Sequence, residues 1–298
     1  MDRTLTISRE DTVPTLDVLD STMAYLDRGT GTPVVFLHGN PASSHMWRGV
    51  LDRFDVPARL LAPDLIGMGA SGKPASAYRF GDHAGYLDAW VDGLGLDRIV
   101  LVGHDWGGSL ALDWAARHPD RVLAVAFMET VLRPMTWDDL PPGGRERFQR
   151  LRTPDGEEMV LDDNDFIEFA LPRTAISPIA PEDLAVYRAP FRTRESRLPI
   201  LTWSRSMPMD GDPADVHARV EHYDGWLERT PEVPKLLLTF TGHDTLMIGP
   251  EMTAWCREHI AGLEVRECGV AGHHAPLDRP DEIADALASW TERHHLLK

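Results

Sequence analysis

The 298-residue chain reads as an α/β protein, a doubly wound and mostly parallel sheet interrupted by a helical insert. Three observations predict this. Short apolar runs bounded by turn residues alternate with stretches of helical spacing through the first 130 residues. A proline-rich tract then breaks the alternation, and strand and helix signals resume after it.

Taken in order, Val34 to Leu37 ends before Gly39, Leu60 to Ala62 before Pro63 and Asp64, Ile99 to Val102 before Gly103, and Val122 to Met128 before Glu129. Such compact apolar runs suit strands buried on both faces. Between them, Leu87, Trp90, Val91 and Leu94 fall at helical spacing, as do Leu110, Leu112, Trp114 and Ala115. The second of these tracts is predicted as a helix from Ser109 to Arg117, stopped by Pro119. Residues 131–214 then hold 11 of the 23 prolines, with helical fragments between them. Proline cannot serve a central strand, so this stretch is not expected to extend the sheet. Lys235 to Phe240 resumes a strand, Pro250 to His259 a helix, Glu264 to Cys268 a strand, and Pro280 to Glu292 a closing helix. The predicted organisation is one α/β core in two parts, 1–130 and 215–298, with a helical insert at 131–214.

Composition narrows the function classes. Hydrophobic residues make up 43% and charged residues 26% of the chain, which is enough apolar material for a sizeable core. Thirty Lys and Arg against 47 Asp and Glu leave a formal charge of −17, which repels nucleic-acid backbones and anionic lipid. Met1 to Asp20 is studded with charge and lacks the apolar core of a signal peptide, and no apolar run approaches a membrane span. Cys256 and Cys268 are too few for a disulfide framework and read as buried thiols. A cytoplasmic protein with neither nucleic-acid nor membrane partners is expected. No His-Glu-x-x-His and no cysteine pair at ligand spacing occurs, so neither a metal nor a cofactor is predicted. Gly67-x-Gly69-x-x-Gly72 matches a dinucleotide fingerprint formally, but Pro74 and the missing helix make it a loop.

The informative motif is Gly103-His104-Asp105-Trp106-Gly107, between a predicted strand and a predicted helix. This is the Gly-x-nucleophile-x-Gly elbow in its required setting, with Asp where Ser is usual. A helix cap alone would also accept an Asp there. Two further pieces weigh against capping alone. His38-Gly39-Asn40-Pro41 follows the strand Val34 to Leu37, where such a fold supplies one oxyanion-hole N–H, the other coming from Trp106. Gly272-His273 follows the strand Glu264 to Cys268, where a general base belongs in chain order, with His274 as its rival. Two acids lie at strand ends, Glu129 and Asp244, and either would orient the imidazole.

An Asp is already ionised at neutral pH and can displace a leaving group from saturated carbon, forming an alkyl ester. His273 would then activate water to hydrolyse that ester, while backbone N–H groups hold the oxyanion. A halide leaves without a proton and needs only N–H donors, which Asn40 and Trp106 carry beside the elbow. An epoxide oxygen would need a hydroxyl donor, and the insert holds only Tyr187, with Tyr223 just beyond it.

These motifs, with Pro63-Asp64-Leu65-Ile66-Gly67-Met68-Gly69, Phe127-Met128-Glu129, Gly156-Glu157-Glu158-Met159-Val160-Leu161 and Tyr187-Arg188-Ala189-Pro190-Phe191, resemble the haloalkane dehalogenases of the α/β-hydrolase superfamily over nearly the whole chain. The resemblance implies Asp105 as nucleophile, His273 as base, Glu129 as acid, and Asn40 with Trp106 as the halide-holding pair. It also implies that 131–214 caps a dry pocket. The expected partners are then a small apolar halogenated substrate, water and halide, on a monomer or homodimer. The sequence departs from the family pattern at Trp203-Ser204-Arg205, where Trp-Pro-Arg is usual, and in His274 to Asp278. Thr241-Gly242-His243-Asp244 resembles the superfamily's alternative acid turn, which keeps Asp244 in play. The competing readings are an epoxide hydrolase on the same Asp and His, a cofactor-independent luciferase-type oxygenase, and a small-ligand receptor.

Overall fold

The computed structural model describes residues 13–140 and 142–298. The part of Met1 to Asp20 before residue 13 lies outside the described residues. Among the described residues eight strands form one sheet: β1 (Thr15–Val18), β2 (Ser21–Gly29), β3 (Thr32–Leu37), β4 (Ala58–Pro63), β5 (Ile99–His104), β6 (Val122–Met128), β7 (Lys235–Thr241) and β8 (Leu263–Val270). Their spatial order is β1-β2-β4-β3-β5-β6-β7-β8. β2 runs antiparallel to both β1 and β4, and every pairing from β4 to β8 is parallel.

Burial follows position in the sheet. Every residue of the central β5 is buried, whereas the edge strand β8 exposes Arg266 and Glu267 among its apolar residues. Charges on an edge strand discourage pairing with another chain. The predicted strands all form, each one to three residues longer than its apolar run or equal to it. The sequence reading missed β1, which carries no such run, and β2, whose run is Met23 to Leu26. Met23, Ala24 and Tyr25 are consecutive and all buried, so β2 shows neither alternation nor a long apolar stretch.

The elbow is tighter than expected. β5 continues to His104 and the next helix runs Trp106–Arg117, so it starts three residues before Ser109. Asp105 alone makes the turn. Every residue from Trp106 to Ala115 is buried, because this helix lies between the sheet and the helix Ala214–Arg229. The latter helix was not foreseen, although Val216, Val220, Tyr223 and Leu227 mark its buried stripe at helical spacing. Asp113 joins the two helices: buried itself, it accepts from Arg117 Nε at 2.8 Å and from Arg219 Nη1 at 2.9 Å.

Between β6 and Ala214–Arg229 the described residues form short helical segments and no strand of the sheet. The prolines there start helices rather than only breaking them. Pro154, Pro181 and Pro199 each occupy the first turn of a helix, where their missing N–H has no partner to lose. Gly67 to Gly72 is a loop, as predicted, folded around the Asp64 carboxylate, which accepts from Ala70 N and Ser44 N at 2.7 Å each. Among the described residues no helix is long and apolar enough to cross a membrane.

The parallel strands all point one way, so the segments following β3, β5, β6, β7 and β8 gather along one edge of the sheet. Bringing β3, β5 and the elbow helix close enough for this requires bare backbone. A Cβ on Gly107 would run into the Leu37 and His38 carbonyl oxygens, both main-chain atoms at the end of β3. Gly107→Ala is therefore expected to destabilise the fold by at least about 2 kcal/mol, because backbone cannot yield as a flexible side chain does. A urea denaturation midpoint equal to wild type would contradict this packing.

Candidate active site

Five strand ends deliver the site. Asn40 follows β3, Asp105 follows β5, Glu129 follows β6, Met247 and Ile248 lie in the segment after β7, and His273 follows β8. Ligand sites in open parallel sheets form along this carboxyl edge.

Asp105 adopts φ 51° and ψ −129°, a strained backbone for a residue with a side chain. The surroundings hold it there. Its carbonyl accepts from Gly108 N at 2.9 Å and from Thr130 Oγ1 at 2.6 Å, and its own N–H donates to Met128 O at 3.3 Å. The side chain is thereby lifted off the sheet toward β3. Oδ2 accepts from Asn40 N at 2.8 Å. Gly39 must be bare for this approach, since a Cβ there would collide with the Asp105 carboxylate.

His273 sits on the other side of that carboxylate. Its Nε2 is 3.6 Å from Asp105 Oδ1, and its Nδ1 is 3.2 Å from Glu129 Oε2. Glu129 also has a positive φ, 49°, and is fully buried. Its carboxylate accepts from Met247 N at 2.8 Å and Ile248 N at 3.2 Å, so its charge is met by amides as well as by the imidazole. Asp244, the other candidate acid, has a side chain 69% exposed and pairs with Arg173 at 2.9 Å. The two acids that sequence could not separate thus occupy different environments.

His274 is buried beside His273 but faces elsewhere. Its Nδ1 pairs with Thr174 Oγ1 at 2.7 Å, and its main-chain N donates to Thr174 O at 3.0 Å. Three residues that sequence reading did not single out hold the His273 loop. His104 Nε2 donates to the His273 carbonyl at 2.7 Å, His273 N donates to Thr245 Oγ1 at 3.3 Å, and Gly272 N donates to Asp278 Oδ2 at 2.9 Å. Asp278 also accepts from Ile176 N and Ser177 N of the insert. His104 was within the quoted elbow motif; nothing in the sequence marks Thr245 or Asp278 as partners of residues thirty or a hundred positions away.

The side chains of both predicted N–H donors, Trp106 and Asn40, meet the helix Leu198–Arg205. The Trp106 indole stacks on Trp203, with ring centroids 4.9 Å apart and planes 25° apart, and Trp203 stacks in turn on His83. Asn40 Nδ2 reaches Ile200 O and Ser204 Oγ, both at 3.2 Å. Neither candidate epoxide hydroxyl bonds Asp105. Tyr223 Oη donates to Val131 O at 2.8 Å, and the Tyr187 hydroxyl is buried without a partner beside the His45 ring.

Electrostatics assign the protons. Burial by itself would push the Asp105 carboxyl up, but the His273 hydrogen bond and charge, joined by the Trp106 amide, hold it below the usual carboxylate range. Burial would lower His273, yet its bonds to Asp105 and Glu129 and their charges raise it to about 10. His104 is pushed the other way, to about 3, by burial and then by the charge on His273. One proton therefore rests on the imidazole between two carboxylates, with neutral histidines around it.

The fold is shared with known proteins. Residues 32–154 match the family model of the alpha/beta hydrolase fold. The chain is 45% identical to a haloalkane dehalogenase of Mesorhizobium japonicum, covering 92% of this chain and 89% of that one. It is 41% identical to a haloalkane dehalogenase of Sphingobium indicum, covering 93% and 94%. The crystal structure of haloalkane dehalogenase DbeA from Bradyrhizobium elkani superposes with a TM-score of 0.90 at 40% identity, covering 95% of this chain and 98% of that one.

The coupled charges make a prediction with a definite sign. Asp105→Asn removes one of the two anions that stabilise the imidazolium, so the His273 pKa should fall from about 10 while Glu129 keeps it from collapsing. An NMR titration of the His273 ring measures this, and an unchanged value would mean that Asp105 and His273 are not coupled.

Proposed function

The chain belongs to the haloalkane dehalogenases of the α/β-hydrolase fold and hydrolyses carbon–halide bonds, and we propose that Asp105, His273 and Glu129 carry that reaction, with Asn40 and Trp106 receiving the halide. The observation that carries the assignment is the line of three groups: Asp105 Oδ1, the His273 ring and Glu129 Oε2, at 3.6 and 3.2 Å.

With Oδ2 held by the Asn40 amide, Oδ1 is the oxygen that attacks carbon. The C–O bond forms as the C–X bond breaks, and the halide leaves with the bonding pair toward the N–H donors of Asn40 and Trp106. The product is a neutral alkyl ester, which changes the state of the base. Its loss of charge removes a strong reason for His273 to hold a proton, so the imidazole gives that proton up to solvent, where it accompanies the released halide, and becomes competent to take one from water. Hydroxide adds to the Asp105 carbonyl carbon, and the oxyanion that forms is met by the Asn40 and Trp106 main-chain N–H groups. Collapse of this intermediate releases the alcohol, which takes the proton from His273, and leaves Asp105 as a carboxylic acid whose proton passes to His273 and restores the starting ion pair. Glu129 holds the ring in place and offsets the imidazolium charge without itself taking the proton.

The substrate class we assign is small apolar haloalkanes, enclosed by residues 131–214 acting as a cap. The buried, unpaired Cys256 and Cys268 support a reducing, cytoplasmic setting for a monomer or homodimer, and the −17 charge argues against nucleic acid or membrane as partner. The epoxide alternative is disfavoured because Tyr223 is committed to Val131.

Bromide release from bromobutane, paired with intact mass, tests the scheme. Wild type should liberate bromide and alcohol, while His273→Phe should liberate at most one equivalent of bromide and retain a butyl group on the peptide containing Asp105. Loss of general-base assistance should slow turnover by roughly 10²–10⁴-fold. Diol formation from an epoxide without bromide release would instead favour the epoxide reading. The acid is separable by a second pair: Glu129→Gln should reduce turnover by roughly 10²-fold or more, whereas Asp244→Asn, which removes only an exposed ion pair, should stay within about twofold of wild type. The reverse result would move the acid to Asp244.

A further inference from the structure

Asn40 carries two amide hydrogens, and the helix Leu198–Arg205 presents two acceptors to them: Ile200 O and Ser204 Oγ, each 3.2 Å from Nδ2. The acceptors are themselves bonded, since Ser204 Oγ donates to Ile200 O at 2.8 Å. Sides of 3.2, 3.2 and 2.8 Å make the two acceptors subtend about 52° at Nδ2, less than half of the roughly 120° between the hydrogens of a planar amide. One N–H is therefore shared between both acceptors, and the other is left free. Ser204 is restricted in what it can offer. Its hydrogen is engaged by Ile200 O, so its oxygen faces Asn40 through a lone pair only. A flipped amide would set Oδ1 against a carbonyl oxygen and a hydroxyl with no hydrogen to give.

We propose that Ser204 is a positioning residue for halide capture: the Ile200–Ser204 pair clamps one N–H of Asn40, fixes the amide with nitrogen toward the insert helix, and leaves its second N–H for the halide. The inference rests on the halide-holding role proposed for Asn40. The same helix steadies the other donor, because Trp203, the residue before Ser204, stacks on Trp106. Adjacent residues of one helix thus orient both halide donors. Ser204 is buried, and the Asn40 Oδ1 left by this arrangement is buried without a hydrogen-bond partner. That orphaned oxygen gives the amide a reason to flip, and the clamp opposes it.

The test compares wild type, Ser204→Ala and Ser204→Thr for bromide inhibition and for turnover of chlorobutane against bromobutane. Alanine is a good helix former, so the first variant should fold. Loss of one shared acceptor should raise the bromide inhibition constant about three- to tenfold. It should also depress chlorobutane turnover more than bromobutane turnover, since the poorer leaving group depends more on the donors. Ser204→Thr keeps the hydroxyl and should restore both properties. An unchanged or lowered bromide inhibition constant in Ser204→Ala overturns the clamp, as does an equal loss with both leaving groups or a Thr variant that behaves like Ala. Wild type that releases bromide but is not inhibited by it would remove the halide role of Asn40, and the clamp with it. Wild type that releases no bromide would remove the dehalogenase scheme itself.

Discussion

The extra proton that His273 carries between two buried carboxylates is the constraint on which the site depends. Asp105 and Glu129 are carboxylates withdrawn from bulk water, and two such charges near each other cannot both stay ionised without compensation. His273 supplies it by standing between them as an imidazolium. Main-chain amides supply the rest: Asn40 to Asp105, and Met247 and Ile248 to Glu129. The arrangement keeps the nucleophile ionised in a place where burial favours the neutral acid. In the proposed scheme it also links the two chemical steps, because the event that neutralises Asp105 is the event that frees His273 to act as base. No separate switch is needed.

Maintaining that proton balance requires positional accuracy, which the sheet provides. Strand ends are held by hydrogen-bonded neighbours on both sides, so residues just beyond them inherit that rigidity. Asp105 and Glu129, at the ends of adjacent parallel strands, both carry positive φ values, and this strain turns their side chains out of the sheet direction. The cost is met by local bonds such as Thr130 to the Asp105 carbonyl and by glycines that allow close backbone approach. His273 comes from a looser place, beyond the edge strand β8, and accordingly has more ties. His104 and Thr245 hold its main chain, and Asp278 fastens the loop to residues 176 and 177 of the insert.

Legibility in the sequence followed the physics of each element. β3, β5 and β6 could be read because strands buried on both faces need uninterrupted apolar residues. β1 and β2 could not, since an antiparallel margin buries only part of each strand and leaves no regular pattern. The helix Ala214–Arg229 carried a readable stripe that its many charged residues obscured. At the site, the Asp105 elbow and His273 were visible because their turns demand particular residues at fixed offsets. The choice between Glu129 and Asp244 was not visible from the residues themselves. Both follow strands at the same edge, and what separates them is direction: one side chain turns inward beneath His273, the other outward to Arg173. Backbone direction after a strand is set by tertiary contacts, such as the Met247 and Ile248 amides, that have no local signature.

Under the proposed scheme the helical insert is more than a cover, because the contacts of Leu198–Arg205 bear on the two proposed halide donors. A cover only excludes water, and any apolar surface would serve for that. This helix instead meets the core through a stacked indole and a hydroxyl–carbonyl pair, both orientation-dependent contacts. Trp106 and Asn40 each belong to the core by backbone, where their N–H groups face the Asp105 carboxylate, and to the insert by side chain. In the proposed scheme the two halves of each residue serve different steps, the main chain stabilising the oxyanion of hydrolysis and the side chain receiving the halide of displacement. If the side-chain half is aimed by the insert as proposed, leaving-group preference can vary with a residue such as Ser204 while the proposed ester-hydrolysing groups of the core stay as they are.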